Sequence, residues 1–189
     1  MDRFWLLTWT TYGTWLPGDK RGFVSEVNDG QGGRVIHNIP QAPYDADWEH
    51  LAHDARNRLK CAPILLTSQQ AQTVLSQLHE TANYRQWQLI AAATMANHVH
   101  VVVGVPGDPP PEAILRDLKS YASRMLNRGF QRPASGTWWT ESGSKRKLKN
   151  EAAVLGAVAY VRDQEYPLAN WIHPGFLAEL GDGIAPGKQ

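Results

Sequence analysis

A short stretch that alternates histidine with valine constrains the fold of this chain more than any other feature. Residues two apart in a β-strand point to the same face, so His98 and His100 share one face of a strand. Val99, Val101 and Val103 then point to the other face, where they can pack into a core. The pattern predicts a strand that presents two imidazoles side by side on a rigid support.

The hydrophobic pattern around this strand predicts the order of the remaining elements. Strands are predicted at 3–12, 88–95, 98–105 and 136–140, and helices at 48–60, 68–86, 111–129 and 151–163. The core order β–α–β–β–α–β, with a central hairpin, is typical of the split βαβ or ferredoxin-like arrangement. We therefore expect an α+β fold in which an antiparallel sheet has helices on one face.

Glycine and proline divide the rest of the chain. We expect residues 1–173 to form a single domain with a long loop insertion at about 13–47. The insertion is predicted from three turn-forming pairs, namely Pro17-Gly18, Asp29-Gly30 and Gly32-Gly33. Residues 174–189 are rich in glycine and proline, and we expect them to form a disordered tail.

Composition excludes several classes of protein. A single cysteine, Cys61, allows no internal disulfide, which is typical of a reducing cytoplasm. No apolar run approaches the roughly 18 residues of a membrane span, and the N-terminal residues lack the pattern of a signal peptide. We therefore expect a soluble, cytoplasmic protein that has no membrane partner.

Basic residues are concentrated in one part of the chain. Residues 116–149 contain nine basic and two acidic side chains, a local charge of +7, although the formal net charge is only +1. Such segregation predicts a surface that faces phosphates, and a solvated basic helix and loop is the alternative. The candidate DNA-binding residues in this part are Lys119, Arg124, Arg128, Lys145, Arg146, Lys147 and Lys149.

Trp138 and Trp139 are further candidates for binding DNA. Because they lie in a segment predicted as a strand, they cannot both face the core. One of them is a candidate platform for stacking an unpaired base, an interaction worth about 1–3 kcal/mol. An interface or a second small core is the alternative for this pair.

The two histidines are half of a divalent-metal site, since neutral imidazole is a common ligand of such ions. Tyr121, on the helix that follows the His strand, is a candidate covalent nucleophile. Positive charge around its phenol comes from Arg116, Lys119 and Arg124. Polar strand residues and a core tyrosine are the structural alternatives, but the combination points to phosphodiester chemistry.

Four segments resemble the single-tyrosine HUH transposases, and in particular the REP-associated tyrosine transposases. These segments are Asn97–Val103, Leu118–Tyr121, Asn127-Arg128 and Ser135–Trp139. The resemblance runs from the first strand to about Pro167. It implies the HUH endonuclease fold and cleavage of single-stranded DNA near hairpins such as REP palindromes, through a 5′-phosphotyrosine and a free 3′-hydroxyl.

The resemblance also implies the role of each site residue. His98 and His100 would hold Mg²⁺ or Mn²⁺, and Tyr121 would attack phosphorus. In related insertion-sequence transposases a glutamine one turn after the tyrosine completes the metal shell, but this chain has Met125 there, a poor ligand for a hard cation. The candidates for the third ligand are Asp117, then Glu141, and then Asn97.

We expect a metal-dependent transposase that nicks single-stranded DNA at hairpins and transfers the strand, as a monomer or a homodimer. The alternative is a catalytically inactive, domesticated protein that binds DNA hairpins, which the missing glutamine leaves open. A phosphohydrolase acting on small nucleotides is a third candidate. The histidine-triad nucleotide hydrolases fit poorly, because Val102 stands where their third histidine would be.

Overall fold

The structure, a computed structural model, describes residues 3–19, 25–28, 34–37 and 49–180. In chain order its elements are β1 (Arg3–Thr10), β2 (Ser25–Asn28), β3 (Arg34–His37), α1 (Glu49–Asn57), α2 (Ser68–Arg85), β4 (Gln88–Thr94), β5 (His98–Val105), α3 (Pro111–Gly129), β6 (Ser144–Leu148), α4 (Glu151–Arg162), β7 (Ala169–Ile172) and α5 (Pro174–Leu180).

Five strands form one antiparallel sheet in the order β6-β1-β5-β4-β7. Along the chain, four of these strands and two helices follow in the predicted order β1, α2, β4, β5, α3 and β6. The His strand β5 lies at the centre of the sheet. This topology is the split βαβ arrangement, so the α+β, ferredoxin-like prediction is confirmed. The fifth strand, β7, is only four residues long and was not predicted.

Helices α2 and α3 cover one face of the sheet, and α4 packs on the other. The main core joins α2 and α3 to the valine side of β5, through Val99, Val101 and Val103. A second core joins α4 to Leu6, Ile90 and Val102. The expectation of helices on one face was therefore incomplete, because a third helix occupies part of the face that carries the histidines.

The start of α2 shows how local sequence sets an element of this fold. Thr67 caps the helix by accepting a hydrogen bond from the backbone N–H of Gln70, and the Gln70 side chain accepts one from the backbone N–H of Thr67. This reciprocal capping box satisfies two backbone donors that the first helical turn leaves unpaired. At the other end, Gln86 takes a left-handed conformation with φ of 56°, which ends the helix and directs the chain into β4.

The prediction of a strand at 136–140 was wrong, because the fourth strand is β6, at residues 144–148. Trp138 and Trp139 are both buried in the main core, each only 4% exposed. Both indole N–H groups donate to α3, one to Asn127 Oδ1 at 2.8 Å and the other to the carbonyl oxygen of Lys119 at 3.1 Å. The segment thus anchors the end of the sheet to α3, and the basic run that follows pairs with β1.

Two expectations about irregular segments need correction. Within the predicted loop at 13–47, β2 and β3 pair as a hairpin, and residues 20–24, 29–33 and 38–47 lie outside the described residues. The predicted tail begins with α5, whose Phe176 packs against the second core, while residues 181–189 also lie outside the described part. No helix in the described ranges is long and apolar enough to cross a membrane.

Candidate active site

His98 and His100 lie side by side on the sheet face that α4 covers in part. Their ring centroids are 4.6 Å apart, and the rings are nearly perpendicular, at 82°. Directly opposite partners on antiparallel strands share a face, so Thr10 and Thr8 of β1 flank His98 and His100 respectively. The prediction of two imidazoles on one strand face is confirmed.

Each imidazole is held through its Nδ1 atom. His98 Nδ1 lies 2.7 Å from Asn97 Oδ1, and His100 Nδ1 lies 2.7 Å from Thr8 Oγ1. Since the Asn97 oxygen can only accept, His98 donates from Nδ1, which is the tautomer that carries the lone pair on Nε2 when the ring is neutral. The Thr8 hydroxyl can accept from His100 in the same way. Side chains of this kind orient histidines that bind metals through the other nitrogen.

His100 Nε2 is buried and has no hydrogen-bond partner among the described residues. Burial lowers the pKa of His100 from its usual 6.5 to about 4; the neighbouring His98 lowers it further, and the Gln164 side chain acts in the opposite direction. The ring is therefore neutral at pH 7. A neutral imidazole with an unused buried lone pair has the chemical character of a metal ligand.

Acidification below pH 6.5 is expected to destabilise the protein through His100. In the unfolded state His100 takes up a proton near pH 6.5, but in the folded state only near pH 4. Its contribution to the free energy of unfolding is therefore fully present above pH 6.5 and is lost as the pH falls from 6.5 to 4. The loss at pH 4.5 is about 2–3 kcal/mol, from 1.36 kcal/mol for each pKa unit. Denaturant unfolding at pH 7 and pH 4.5, with a chelator present, should show a smaller difference for His100→Gln. An equal difference in both proteins would contradict this account.

The tyrosine beside the histidines is Tyr160 on α4. Its ring centroid lies 5.2 Å from that of His100 at an interplanar angle of 79°, and the side chain is 49% exposed. Asn150 caps the start of α4 by accepting a hydrogen bond from the backbone N–H of Ala153. Val158, two residues before Tyr160, is buried against the sheet and fixes the position of the helix. The helix thus holds the phenol at the edge of the covered area, within reach of a large substrate.

Gln164 follows Tyr160 by one turn, just beyond the end of α4. Its amide nitrogen donates to the carbonyl oxygen of Tyr160 at 2.9 Å, which folds the side chain back along the helix. The side chain also lies near His100 and raises the pKa of that ring, because its amide oxygen can accept a hydrogen bond only from the protonated form of the ring. Amide oxygens are suitable ligands for Mg²⁺ and Mn²⁺. The site therefore combines two imidazoles, one amide and one phenol.

The expectation that Tyr121 lies beside the His pair was wrong. Helix α3 covers the opposite face, where Leu118 and Ala122 on either side of Tyr121 are buried in the main core. The Tyr121 ring instead lies near Tyr84 of α2, with centroids 6.5 Å apart. The whole thickness of the sheet thus separates Tyr121 from both imidazoles.

The carboxylates that were candidates for the third ligand do not join the site. Asp117 also lies on α3 and forms an ion pair with Arg85 at 2.7 Å. Glu141 is exposed in the segment before β6. Within the described ranges, no group of three His, Cys, Asp or Glu side chains is placed to hold a metal. Asn97, the weakest candidate, uses its side-chain oxygen to hold His98.

The candidate DNA-binding residues are distributed over both faces. Arg124 and Arg128 lie on α3, beside Tyr121, and Lys149 is exposed. In β6 the side chains alternate, so Lys145 and Lys147 lie opposite Leu7 and Trp5 on the main-core face. Arg146 lies opposite Leu6 and is the member of this run that shares a face with the histidines. The buried Trp138 and Trp139 are not available as stacking platforms.

Lys119 is a structural residue. It is only 9% exposed, and its ammonium group donates to the carbonyl oxygens of Thr140, Glu141 and Ser142. Burial lowers its pKa to about 8. These contacts tie α3 to the segment that leads into β6, so the expectation of a DNA contact at Lys119 does not fit its position.

Substituting Lys119 with methionine is expected to lower the free energy of unfolding by about 2–4 kcal/mol, because it leaves three carbonyl oxygens without their donor. Chemical denaturation of the two proteins measures this difference. The exposed Lys149→Met change is the control and should cost less than about 0.5 kcal/mol. Equal effects of the two substitutions would contradict the structural role of Lys119.

Tyr160 and Gln164 were missed by the sequence analysis. The available signal was the spacing of a tyrosine and a glutamine four residues apart, which occurs at Tyr160 and Gln164 and also at Tyr84 and Gln88. In the second pair the chain leaves α2 before it reaches Gln88, which begins β4. Of the two pairs, Tyr160 and Gln164 are the one whose members are separated by one helical turn and lie beside the histidines.

Comparison with known proteins identifies a family whose model matches the part of the chain that contains this site. The family model for IS200-like transposases matches residues 53–164, a segment that ends at Gln164. Among solved structures, a REP-associated tyrosine transposase bound to a REP hairpin is 12% identical, covers 84% of this chain and has a TM-score of 0.46. This chain spans 64% of that protein. A candidate transposase from Deinococcus radiodurans is 15% identical, with 87% of this chain and 92% of that one covered and a TM-score of 0.46.

A sequence comparison with curated proteins finds no match. Both structural likenesses fall below a TM-score of 0.5, so the assignment rests on the family match, which spans more than half of the chain and includes both histidines, Tyr160 and Gln164. The chain belongs to the IS200-like transposase family.

Proposed function

We propose that this protein is a metal-dependent transposase that cuts and rejoins single-stranded DNA at hairpin-containing sequences, with Tyr160 as the nucleophile. The observation that carries the proposal is the meeting of His98, His100, Tyr160 and Gln164 on one face of the sheet. The family supports DNA processing of the transposase type. The resemblance to the REP-associated group favours a hairpin-containing strand as the substrate.

The residues present fit a divalent cation. His98 and His100 are oriented through Nδ1, His100 Nε2 is buried without a partner among the described residues, and Gln164 brings an amide side chain to the same place. These three residues would hold Mg²⁺ or Mn²⁺. When bound, such an ion polarises the scissile phosphate and stabilises the charge that develops on it.

Tyr160 performs the covalent step. Its phenolic oxygen forms a bond to phosphorus while the bond from phosphorus to the 3′-oxygen breaks, and the phenol proton passes to solvent. The departing oxygen takes up a proton as a 3′-hydroxyl, and the 5′-phosphate stays on Tyr160. Attack by a second 3′-hydroxyl reverses these bond changes and joins the strand. One phosphodiester is exchanged for another, so no external energy source is required.

The sheet beside the site offers a path for the strand. Thr8 and Thr10 flank the histidines, and the Thr10 and Thr140 hydroxyls are 2.9 Å apart. Ser144 and Arg146 continue this surface at β6, opposite Thr8 and Leu6. Hydroxyls and a guanidinium are common phosphate-binding groups. We include Arg146 among the residues that hold the backbone of the cleaved strand.

One chain supplies every proposed catalytic group. His98, His100, Tyr160 and Gln164 meet without a second copy, which supports catalysis by a monomer. Met125 at the expected glutamine position had suggested an inactive, domesticated protein. In the proposed site Gln164, one turn after Tyr160, would serve as this ligand, so Met125 gives no argument against catalysis.

The proposal is tested by incubating the protein with labelled single-stranded hairpin DNA and Mn²⁺, followed by a denaturing gel. We expect a covalent protein–DNA band and a released strand with a free 3′-hydroxyl, both abolished by a chelator. A panel of hairpin substrates guards against a poor choice of sequence. Tight binding to the panel without any adduct would instead indicate a DNA-binding protein without catalysis.

A further inference from the structure

A groove between α2 and α3 lies on the sheet face opposite the proposed active site. Its volume is about 290 Å³, and Tyr84, Tyr121, Arg124 and Arg128 form much of its wall. Tyr84 is 74% exposed, and the centroid of its ring lies 6.5 Å from that of Tyr121 on the neighbouring helix. The groove is therefore lined by two neighbouring aromatic rings, and aromatic rings that are open to solvent can stack on unpaired bases.

The aromatic rings of this groove are combined with guanidinium groups. Arg124 lies over the Tyr121 ring, 4.9 Å from its centroid, and Arg85 lies over the Tyr84 ring at 5.7 Å. These cation–π contacts hold the Arg124 guanidinium group beside α3 and the Arg85 guanidinium group beside α2. Arg85 is neutralised in part by Asp117, at 2.7 Å. Arg124 and Arg128 stand on consecutive turns of α3 and are both exposed, which gives this wall two positive charges.

The floor and the opposite wall add polar groups. Gln77 and Thr81 are buried there and joined by a hydrogen bond of 3.2 Å, and Glu80 is the one carboxylate among the lining residues. The two arginines outweigh this carboxylate, so the groove keeps a net positive charge. An apolar peptide would give the two arginines no anionic partner, whereas a nucleotide has both an aromatic face and an anionic backbone.

We propose that this groove binds unpaired nucleotides of single-stranded DNA outside the cleaved phosphate. Tyr84 stacks on a base, Arg124 and Arg128 contact the backbone phosphates, and Tyr121 keeps Arg124 in position. The identification of the strand as DNA rests on the proposed function, while the groove itself does not depend on the catalytic residues. This second surface would hold the substrate on the face that the active site does not use.

The test measures binding in a protein that has no nucleophile. All variants are made in the full chain with Tyr160→Phe, and the affinity for labelled single-stranded oligo-dT is measured by fluorescence anisotropy with a chelator present. Tyr84→Ala removes the ring, and Tyr84→Phe is the matched control that keeps it. Arg124→Ala with Arg128→Ala removes two charges from the groove, and Arg56→Ala with Arg58→Ala removes two exposed charges from the region of α1.

Tyr84→Ala is expected to raise the Kd at least fivefold, which corresponds to about 1 kcal/mol, and Tyr84→Phe less than twofold. Loss of Arg124 and Arg128 should also flatten the salt dependence of log Kd by up to about 1.4, at about 0.7 for each phosphate on a single strand. An unchanged Kd for Tyr84→Ala, equal effects of the two arginine pairs, or no binding of oligo-dT at all would overturn the proposal. Since these proteins cannot form the adduct through Tyr160, the result is independent of the cleavage experiment.

Discussion

Replacing Tyr160 with phenylalanine is expected to reduce formation of the covalent protein–DNA adduct at least about a thousandfold, whereas Tyr121→Phe still forms it. The change removes one oxygen atom, the only atom of this side chain that can bond to phosphorus. The centroid of the Tyr160 ring lies 5.2 Å from that of His100, whereas Tyr121 belongs to α3, which covers the opposite face of the sheet. Both substitutions keep the aromatic ring, so each leaves the packing around it in place.

Time courses on denaturing gels measure this prediction, with the same labelled hairpin and Mn²⁺ for all three proteins. Circular dichroism and thermal unfolding show whether each variant is folded. Since Tyr160 is half-exposed, we expect its substitution to change the melting temperature little. Loss of the adduct in Tyr121→Phe, together with its retention in Tyr160→Phe, would reverse the assignment.

Substituting His100 with alanine is expected to weaken both Mn²⁺ binding and adduct formation, each by about 10²- to 10³-fold at limiting Mn²⁺. The buried Nε2 atom of His100 has no hydrogen-bond partner among the described residues, so its lone pair is available to a metal ion. The alanine substitution removes this ligand. Gln164→Ala removes a neutral amide and should cost about tenfold, an effect that a higher Mn²⁺ concentration restores.

Calorimetric titration with Mn²⁺ in the absence of DNA separates metal binding from catalysis. The matched control is Asp117→Asn, because Asp117 is a carboxylate on α3 that pairs with Arg85 on the far face. We expect this variant to bind Mn²⁺ as tightly as the unaltered protein. Weaker binding by Asp117→Asn, with no change in His100→Ala, would show that the metal lies elsewhere.

Local patterns were enough to predict the frame of this fold. The alternation of histidine and valine in β5, the helical spacing of apolar residues in α2 and the hairpin between β4 and β5 all follow from interactions between near neighbours in sequence. Together they determine the order of elements, and that order leaves few topologies for a chain of this length. The central position of the His strand followed from the same reasoning.

The choice of Tyr121 failed for a reason that the sequence itself contained. Val99 and Val101 were expected to face a core, and Leu118 and Ala122 mark α3 as a helix that covers a core. If α3 covers the valine side, it cannot also meet the histidines on the other side of the same strand. The tyrosine had to come from an element on the histidine side, and α4 is that element.

Other parts of the site depended on long-range contacts that no local pattern reveals. The run Lys145-Arg146-Lys147 has low strand propensity, yet it forms β6 because β1 offers an unpaired edge. Trp138 and Trp139 are both buried, and their indole N–H groups find acceptors on α3 that come together with them only when the chain folds back over that helix. The burial of Lys119 likewise depends on three carbonyl oxygens that the chain brings together only when folded.

Mass spectrometry of the trypsin-digested adduct tests the central claim most directly, because it identifies the residue that carries the nucleotide. Trypsin cleavage after Lys149 and Arg162 gives a peptide, residues 150–162, in which Tyr160 is the only tyrosine. Cleavage after Lys119 and Arg124 gives residues 120–124, in which Tyr121 is the only tyrosine. The account predicts a 5′-phosphate linkage on peptide 150–162. The same linkage on peptide 120–124, with peptide 150–162 unmodified, would contradict it.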